Sequence, residues 1–329
     1  GAAVSTSGPL ASYFVVLGGP AAVRRIPDGV DPCSAQAAAA AQSRLREIDT
    51  EHAALRPALE EQGAVVIAEL SRLANVIQVV ATRPQVERLR RLPGVARVEE
   101  VPLLYPQLAS LLPVVGAPEV WAKSTPLDGD GVTIGVIDSG IDYTHADFGG
   151  PGTVAAYTGN NSKIIEPGTF PTARVVGGWD FVGDDYNPTA NLNVPSPDAD
   201  PLDCTKPEST AVAGGHGTHV AGIAGGNGVK QDGSAYLGPY SVSFVPTAFR
   251  IAPGVAPKSR LWSLRIFGCD GSTSMLAAAL ERASDPNQDG NFADRLDVVN
   301  GSLGTGYALS SPVTTTMVEN LTKVGTLLV

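Results

Sequence analysis

The chain has 329 residues, 43% of them hydrophobic and 17% charged, which is the composition of packed protein and is long enough for two ordinary domains. Lys and Arg total 23 against 33 Asp and Glu, a net charge of -10, and such a surface repels phosphate backbones, so no nucleic-acid partner is expected. Apolar stretches such as residues 15–17 and 327–329 fall far short of the roughly 18 residues that span a bilayer, so no membrane partner is expected either. The chain opens on Gly1-Ala2-Ala3 without a basic-then-apolar leader; a secretion signal is therefore read as removed or never included. Three cysteines, Cys33, Cys204 and Cys269, are too few for a disulfide scaffold and too scattered for a zinc site, and at most one internal bridge can form.

In chain order, residues 12–17 read as a strand, and residues 34–62 have helical composition, with Leu45, Ile48, Leu55 and Leu59 on one face and Gly63 as a stop. Strands follow at 64–70 and 76–81. A short helix then places Val86, Leu89 and Leu92 together before Pro93-Gly94, and residues 95–101 form another strand. This βαββαβ order is the ferredoxin-like, split βαβ arrangement of an α+β domain. Residues 106–116 lose charge and gain Pro and Leu, as a linker does. The turn Asp128-Gly129-Asp130-Gly131 leads into the apolar run 132–137, a buried strand ending at an acid. Gly- and Pro-rich loops are expected over 149–215, a helix from His216, and further buried strands at 260–267, 296–300 and 324–329, the last without a closing helix. Buried strands alternating with helices predict an α/β domain with a parallel sheet.

Two motifs carry chemistry. In Val136-Ile137-Asp138-Ser139-Gly140-Ile141-Asp142 a carboxylate sits at the carboxyl end of a buried strand, where open α/β sheets gather their functional groups. In Gly214-Gly215-His216-Gly217-Thr218-His219-Val220-Ala221-Gly222 small residues let a helix start close to a neighbouring strand. His216 is placed to be a base oriented by Asp138, and His219, one turn on, reads as structural. A zinc hydrolase using both histidines is the competing reading, but its template needs an i, i+4 pair with an intervening glutamate, and none is present.

The two motifs resemble the aspartate and histidine boxes of the subtilisin-like serine proteases, in that family's chain order. A third, Asp297-Val298-Val299-Asn300-Gly301-Ser302-Leu303-Gly304, is similar to the family's substrate-binding strand, in which Ser302, Leu303 and Gly304 would pair their backbones with an extended peptide. The resemblance implies an incomplete subtilisin-like α/β catalytic domain at 106–329 behind a propeptide at 11–105, with residues 1–10 as a remnant. Asp138 and His216 would be catalytic, and the propeptide would act as intramolecular inhibitor with a junction between residues 101 and 112. The family's nucleophile lies in a G-T-S-M-A-x-P box after an A-G-N box. Neither occurs in the sequence, so both are expected beyond Val329. Gly271-Ser272-Thr273-Ser274-Met275 lacks the proline and comes too early; it matches the family's other substrate-lining strand, with Ser272 or Ser274 as a helix cap.

The implied partners are protein or peptide substrates, the implied location is extracellular, and no organic cofactor is implied. Structural calcium is expected at Asp285, Asn287, Asp289 and Asn291, whose oxygens alternate ahead of and around Gly290 as in a calcium loop, against a plain Asp/Asn/Gly turn. Asp147 matches a second calcium-binding position of relatives. A bridge between Cys204 and Cys269, leaving Cys33 free, stands against three reduced thiols. The rival function is a truncated subtilase that binds peptides without cleaving them.

Overall fold

The structure, a computed structural model, describes residues 8–102, 105–106, 116–123, 125–190, 194–204, 214–240, 248–304 and 311–329. Most of the expected linker and junction lies outside these residues. The first unit is built from β1 (Leu10–Leu17), α1 (Ala35–Glu61), β2 (Val65–Leu70), β3 (Val76–Thr82), α2 (Arg83–Leu89) and β4 (Val95–Glu100). The strands form an antiparallel sheet in the order β2-β3-β1-β4. The Ser34 hydroxyl caps α1 by accepting from the Ala37 amide at 3.2 Å. The helix buries Ala37, Ala41, Arg44, Ile48, His52, Leu55 and Leu59, spaced three or four apart as one helical face requires. Arg44 and His52 were not expected on that stripe. Each is satisfied in place, Arg44 by Glu51 at 2.7 Å and the Pro20 carbonyl at 2.9 Å, and His52 by Asn75 at 2.8 Å.

The chain leaves the first unit through β5 (Tyr105–Pro106), and the second unit contains α3 (Ala117–Trp121), β6 (Thr133–Asp138), α4 (Val154–Thr158), β7 (Val175–Asp180), α5 (His216–Gly225), β8 (Val229–Lys230), β9 (Phe249–Ile251), β10 (Arg260–Arg265), α6 (Leu276–Ser284), β11 (Val298–Asn300), β12 (Leu303–Gly304), α7 (Pro312–Lys323) and β13 (Leu327–Leu328). Its main sheet runs β13-β11-β6-β10-β7 with every pairing parallel, so β6 and its terminal acid are central. Two expectations change here. β7 lies inside the stretch expected to be loop, because Gly177 and Gly178 break its apolar pattern. Both glycines are needed, since a Cβ on Gly177 would meet the Trp262 ring nitrogen at 2.2 Å and one on Gly178 would meet Pro201 at 2.3 Å. The terminal strand is shortened to two residues and preceded by α7. The Thr314-Thr315-Thr316 run has poor helix propensity, and burial of Val313, Met317, Asn320 and Leu321 holds the helix instead.

The two units share a core. One face of the antiparallel sheet packs Tyr13, Val15, Ile77 and Val79 against Leu55, Leu59, Val86 and Leu89 of its own helices. The other packs Phe14, Val16, Leu70 and Val76 in one cluster with Leu280 of α6 and Val313, Met317 and Leu321 of α7. All seven residues of β3 are buried as a result. The buried Glu281 of α6 accepts the backbone N–H of Ser71 at 2.7 Å and of Leu73 at 2.8 Å, and also that of Arg72. Arg72 pairs with Asp285 at 2.5 Å, and Asn320 donates to the Leu73 carbonyl at 2.7 Å. Cys33 sits on the same seam, with the Arg295 guanidinium 3.0 Å from its sulfur. Cys204 and Cys269 form a disulfide across 65 residues, Cα to Cα 5.3 Å, a loop whose closure is worth roughly 4 kcal/mol by chain entropy.

Replacing Glu281 by Ala leaves buried amides without an acceptor, so the unfolding free energy in urea should fall by about 3 kcal/mol, with Glu281→Gln falling less. Titration of the denatured, unreduced chain with a thiol reagent should find Cys33 alone, and reduction should reveal Cys204 and Cys269 as well.

Candidate active site

Strand β6 delivers Asp138 to the carboxyl edge of the parallel sheet, and α5 begins there with His216. Both side chains are buried. His216 Nδ1 lies 2.7 Å from Asp138 Oδ1, which also accepts the Ser139 amide at 2.7 Å. The carboxylate accepts, so the imidazole donates from Nδ1. That fixes the tautomer and leaves Nε2 as the basic nitrogen. The approach of helix to strand depends on Gly217: a Cβ there would stand 2.3 Å from the Gly140 carbonyl oxygen. Gly215, the residue before the helix, has φ of 80° and offers no side-chain cap.

The missing cap comes from Asp203, which no motif of the sequence marks. Its Oδ1 accepts from the amides of Cys204 at 2.8 Å and Gly215 at 3.2 Å and from the Ser139 hydroxyl at 2.9 Å. Its Oδ2 accepts the Thr218 amide at 3.1 Å and the Thr218 hydroxyl at 2.5 Å. The Ser139 hydroxyl in turn accepts the Gly217 amide at 2.9 Å. Burial pushes the Asp203 carboxyl up to about 6 against the pull of these donors. The signal available in sequence was indirect: a helix opening on Gly-His-Gly cannot cap itself, so an acid must reach it from elsewhere. Arg265, fully buried, braces the same region through Asp180 at 3.1 Å, Asp184 at 2.6 Å and the Leu202 carbonyl at 2.9 Å.

Ser302 takes a hydrogen bond from the Asn300 amide at 2.9 Å. Leu303 and Gly304 form β12, antiparallel to β5 with Leu303 opposite Pro106 and Gly304 opposite Tyr105. The chain's own residues 105–106 therefore lie along the strand expected to hold peptides. Ser274 lines a cavity of about 440 Å³ together with Leu303 and Gly304, its hydroxyl 2.9 Å from that of Tyr186. The expectation that Ser272 or Ser274 caps α6 is corrected, because the helix starts after Met275 with no side-chain cap. His219 is exposed and lines a cavity of about 420 Å³ with His145, Asp147, Phe148 and Ile251.

In the 285–291 loop, Asp285 accepts the amides of Asp289 at 3.2 Å and Gly290 at 3.0 Å. Asn287 accepts that of Asp289 at 2.9 Å, Asp289 that of Asn291 at 2.8 Å, and Asn291 that of Ala293 at 3.1 Å. Asp147 accepts the Gly228 amide at 2.6 Å, and burial pushes its carboxyl up to about 6. Among the described residues no group of three or more His, Cys, Asp or Glu side chains is arranged to hold a metal ion.

Comparison with known proteins places these observations. The chain is 29% identical over 209 residues to the minor extracellular protease Vpr of Bacillus subtilis, an alignment covering 63% of this chain and 18% of that protein. It is 30% identical over 193 residues to alkaline serine exoprotease A of Vibrio alginolyticus, covering 57% and 21% respectively. The aligned part thus spans less than a quarter of either relative. The crystal structure of the epidermin leader peptide processing serine protease of Staphylococcus aureus superposes with a TM-score of 0.50 at 14% identity, over 98% of this chain and 59% of that one, a likeness of fold. Residues 129–329 match the Subtilase family; the match enters in the turn that feeds β6 and takes in more than half of the chain, which therefore belongs to the subtilase family.

Proposed function

We propose that the chain is the forward part of a secreted serine endopeptidase precursor in which Asp138 and His216 are two members of an Asp-His-Ser triad. The single observation carrying this reading is the buried 2.7 Å contact between His216 Nδ1 and Asp138 Oδ1 at the carboxyl edge of the sheet. In the proposed reaction His216 Nε2 removes the proton of a serine hydroxyl as its oxygen bonds to the scissile carbonyl carbon. The imidazolium, stabilised by Asp138, then returns that proton to the leaving amine as the C–N bond breaks. Water repeats the sequence on the acyl ester. The serine and the oxyanion-stabilising asparagine would come from the G-T-S-M-A-x-P and A-G-N boxes absent from this sequence.

The N-terminal unit is proposed as the intramolecular inhibitor. Pairing of β5 with β12 supports this, because residues 105–106 lie antiparallel to Leu303 and Gly304 as an extended substrate would. Secretion is supported by the Cys204–Cys269 disulfide and by the extracellular relative; no described helix is long and apolar enough to cross a membrane.

Calcium in the 285–291 loop belongs to the same proposal, held by Asp285, Asn287, Asp289 and Asn291. Its support is the buried Asp294 Oδ1, which has no hydrogen-bond partner among the described residues. Burial and then the charges of Asp285 and Asp289 raise the Asp294 carboxyl above the usual range. A bound cation would relieve that crowding and stabilise the folded loop.

In the polypeptide extended through its serine box, intact mass should show cleavage between residues 101 and 112, and His216→Ala should leave it in one piece. Asp138→Asn should lower kcat on peptide substrates by about 10⁴-fold. An extended protein cut equally well without His216 would sink the triad; one that binds peptides and never cuts them would establish the peptide-binding rival. Calcium should raise the melting temperature, and Asp289→Ala should abolish most of that rise.

A further inference from the structure

Asp138 and His216 come from different segments, so their contact is only as firm as the framework that joins those segments. On one side the end of β6 meets the start of α5 directly. On the other the link runs through residues 202–204. Gly140, with φ of 110°, lets that segment approach, because a Cβ there would stand 2.7 Å from the Asp203 Cα. Asp203 then holds both partners at once. Its carboxylate accepts from the amides of Gly215 and Thr218 at the start of α5, and from the hydroxyl of Ser139, the residue that follows Asp138.

The grip of Asp203 depends in turn on what holds its own segment. Before it, the Leu202 carbonyl accepts from Arg265 at 2.9 Å. After it comes Cys204, whose amide donates to Asp203 Oδ1 at 2.8 Å and whose sulfur is bonded to that of Cys269. Cys269 belongs to the stretch that leaves β10. Its amide donates to the Asp184 carbonyl at 2.9 Å, and Ile266 and Phe267 of the same stretch donate their amides to the main-chain carbonyl of Asp138 at 2.8 and 3.4 Å. A closed ring results. It runs from the Asp138 main chain to residues 266–269, across the disulfide to Cys204, through the Asp203 carboxylate to the start of α5, and from His216 back to the Asp138 side chain. The disulfide is the covalent cross-link of that ring; the remaining junctions between segments are hydrogen bonds. Both half-cystines are buried, Cys204 at 5% and Cys269 at 1% exposure, so reductants reach the bridge poorly and it acts as a permanent brace.

We propose that the Cys204–Cys269 bridge is a positioning element for Asp138 and His216, acting through Asp203. Where it concerns catalysis the inference rests on the triad reading; where it concerns the geometry of the pair it does not. A covalent brace suits this place because a reacting group displaced by about 1 Å costs about 10²-fold in rate, a shift that a fold tolerates elsewhere. Chain entropy would favour a bridge anywhere across a loop of 65 residues. It does not select a cysteine adjoining the acid that caps the helix of His216.

The test uses the full chain with its histidines labelled with nitrogen-15. There are four, so the Nδ1 proton of His216, slowed in exchange by burial and by its bond to Asp138, can be followed as a single downfield signal. Cys204→Ala combined with Cys269→Ala, checked for folding by circular dichroism, should displace that signal and speed its exchange with water by about tenfold or more. In the polypeptide extended through its serine box, the same pair should lower kcat on peptide substrates by about 10²-fold with KM changed by less than about twofold, well below the melting temperature. Asp203→Asn should give the same losses, and adding it to the cysteine pair should cost little more, since both act along one path. A merely stabilising bridge lowers the melting temperature and leaves the signal and kcat of the folded protein unchanged; that result overturns the proposal. So does an unchanged signal in Asp203→Asn, which decides the matter if the chain without its bridge does not fold. Faster exchange without the bridge, in an extended polypeptide that never cuts peptides, would uphold the brace and refute the triad reading.

Discussion

Helix α5 can begin against the end of β6 only because residue 217 carries no side chain, and much of the site's arrangement follows from that contact. A helix start that close to a strand brings His216 within hydrogen-bonding range of Asp138 without any reach by either side chain. The same glycine-rich start leaves the first-turn amides of α5 uncapped by their own sequence, and a buried acid must supply the cap. Asp203 does so from a separate segment, and Ser139, next to the catalytic candidate, links that acid to the Gly217 amide. Arg265 then offsets part of the charge collected nearby, a buried ion network of the kind that contributes geometry more than stability.

The N-terminal unit is held by a different logic. Its four-stranded sheet is apolar on both faces, and only one of them is covered by its own helices. The remaining face is completed by α6 and α7, so the two units complete one another's cores. Polar contacts fix the register of this seam: Glu281 receives successive amides of the loop between β2 and β3, and Arg72 reaches the acid at the end of α6. The pairing of β5 with β12 continues the same association along the chain that leaves the first unit.

What the sequence disclosed and what it concealed divide along physical lines. The run before Asp138 is apolar on both faces and bounded by glycines, so its strand and its terminal acid were legible, as was the βαββαβ order of the first unit. The small-residue helix start at His216 was legible for the same steric reason that the structure uses. Concealed were features decided by partners distant in the chain. β7 hides behind glycines demanded by Trp262 and Pro201. α7 hides behind threonines that prefer strands until burial overrules them. Arg44 and His52 look like surface residues on α1 and are buried because Glu51 and Asn75 wait for them. Asp203 has no local pattern at all, since its role is set by a helix that starts a dozen residues later.

Cys33 gives the association of the two units a chemical shadow. Its sulfur belongs to the N-terminal unit, while the guanidinium beside it and the Phe292 carbonyl near it belong to the other. Separation of the units would strip both neighbours away in one event and open the sulfur to solvent. Alkylation at this position therefore runs as a clock on undocking, slow while the seam is closed and fast once it parts, and it keeps time without reference to any substrate.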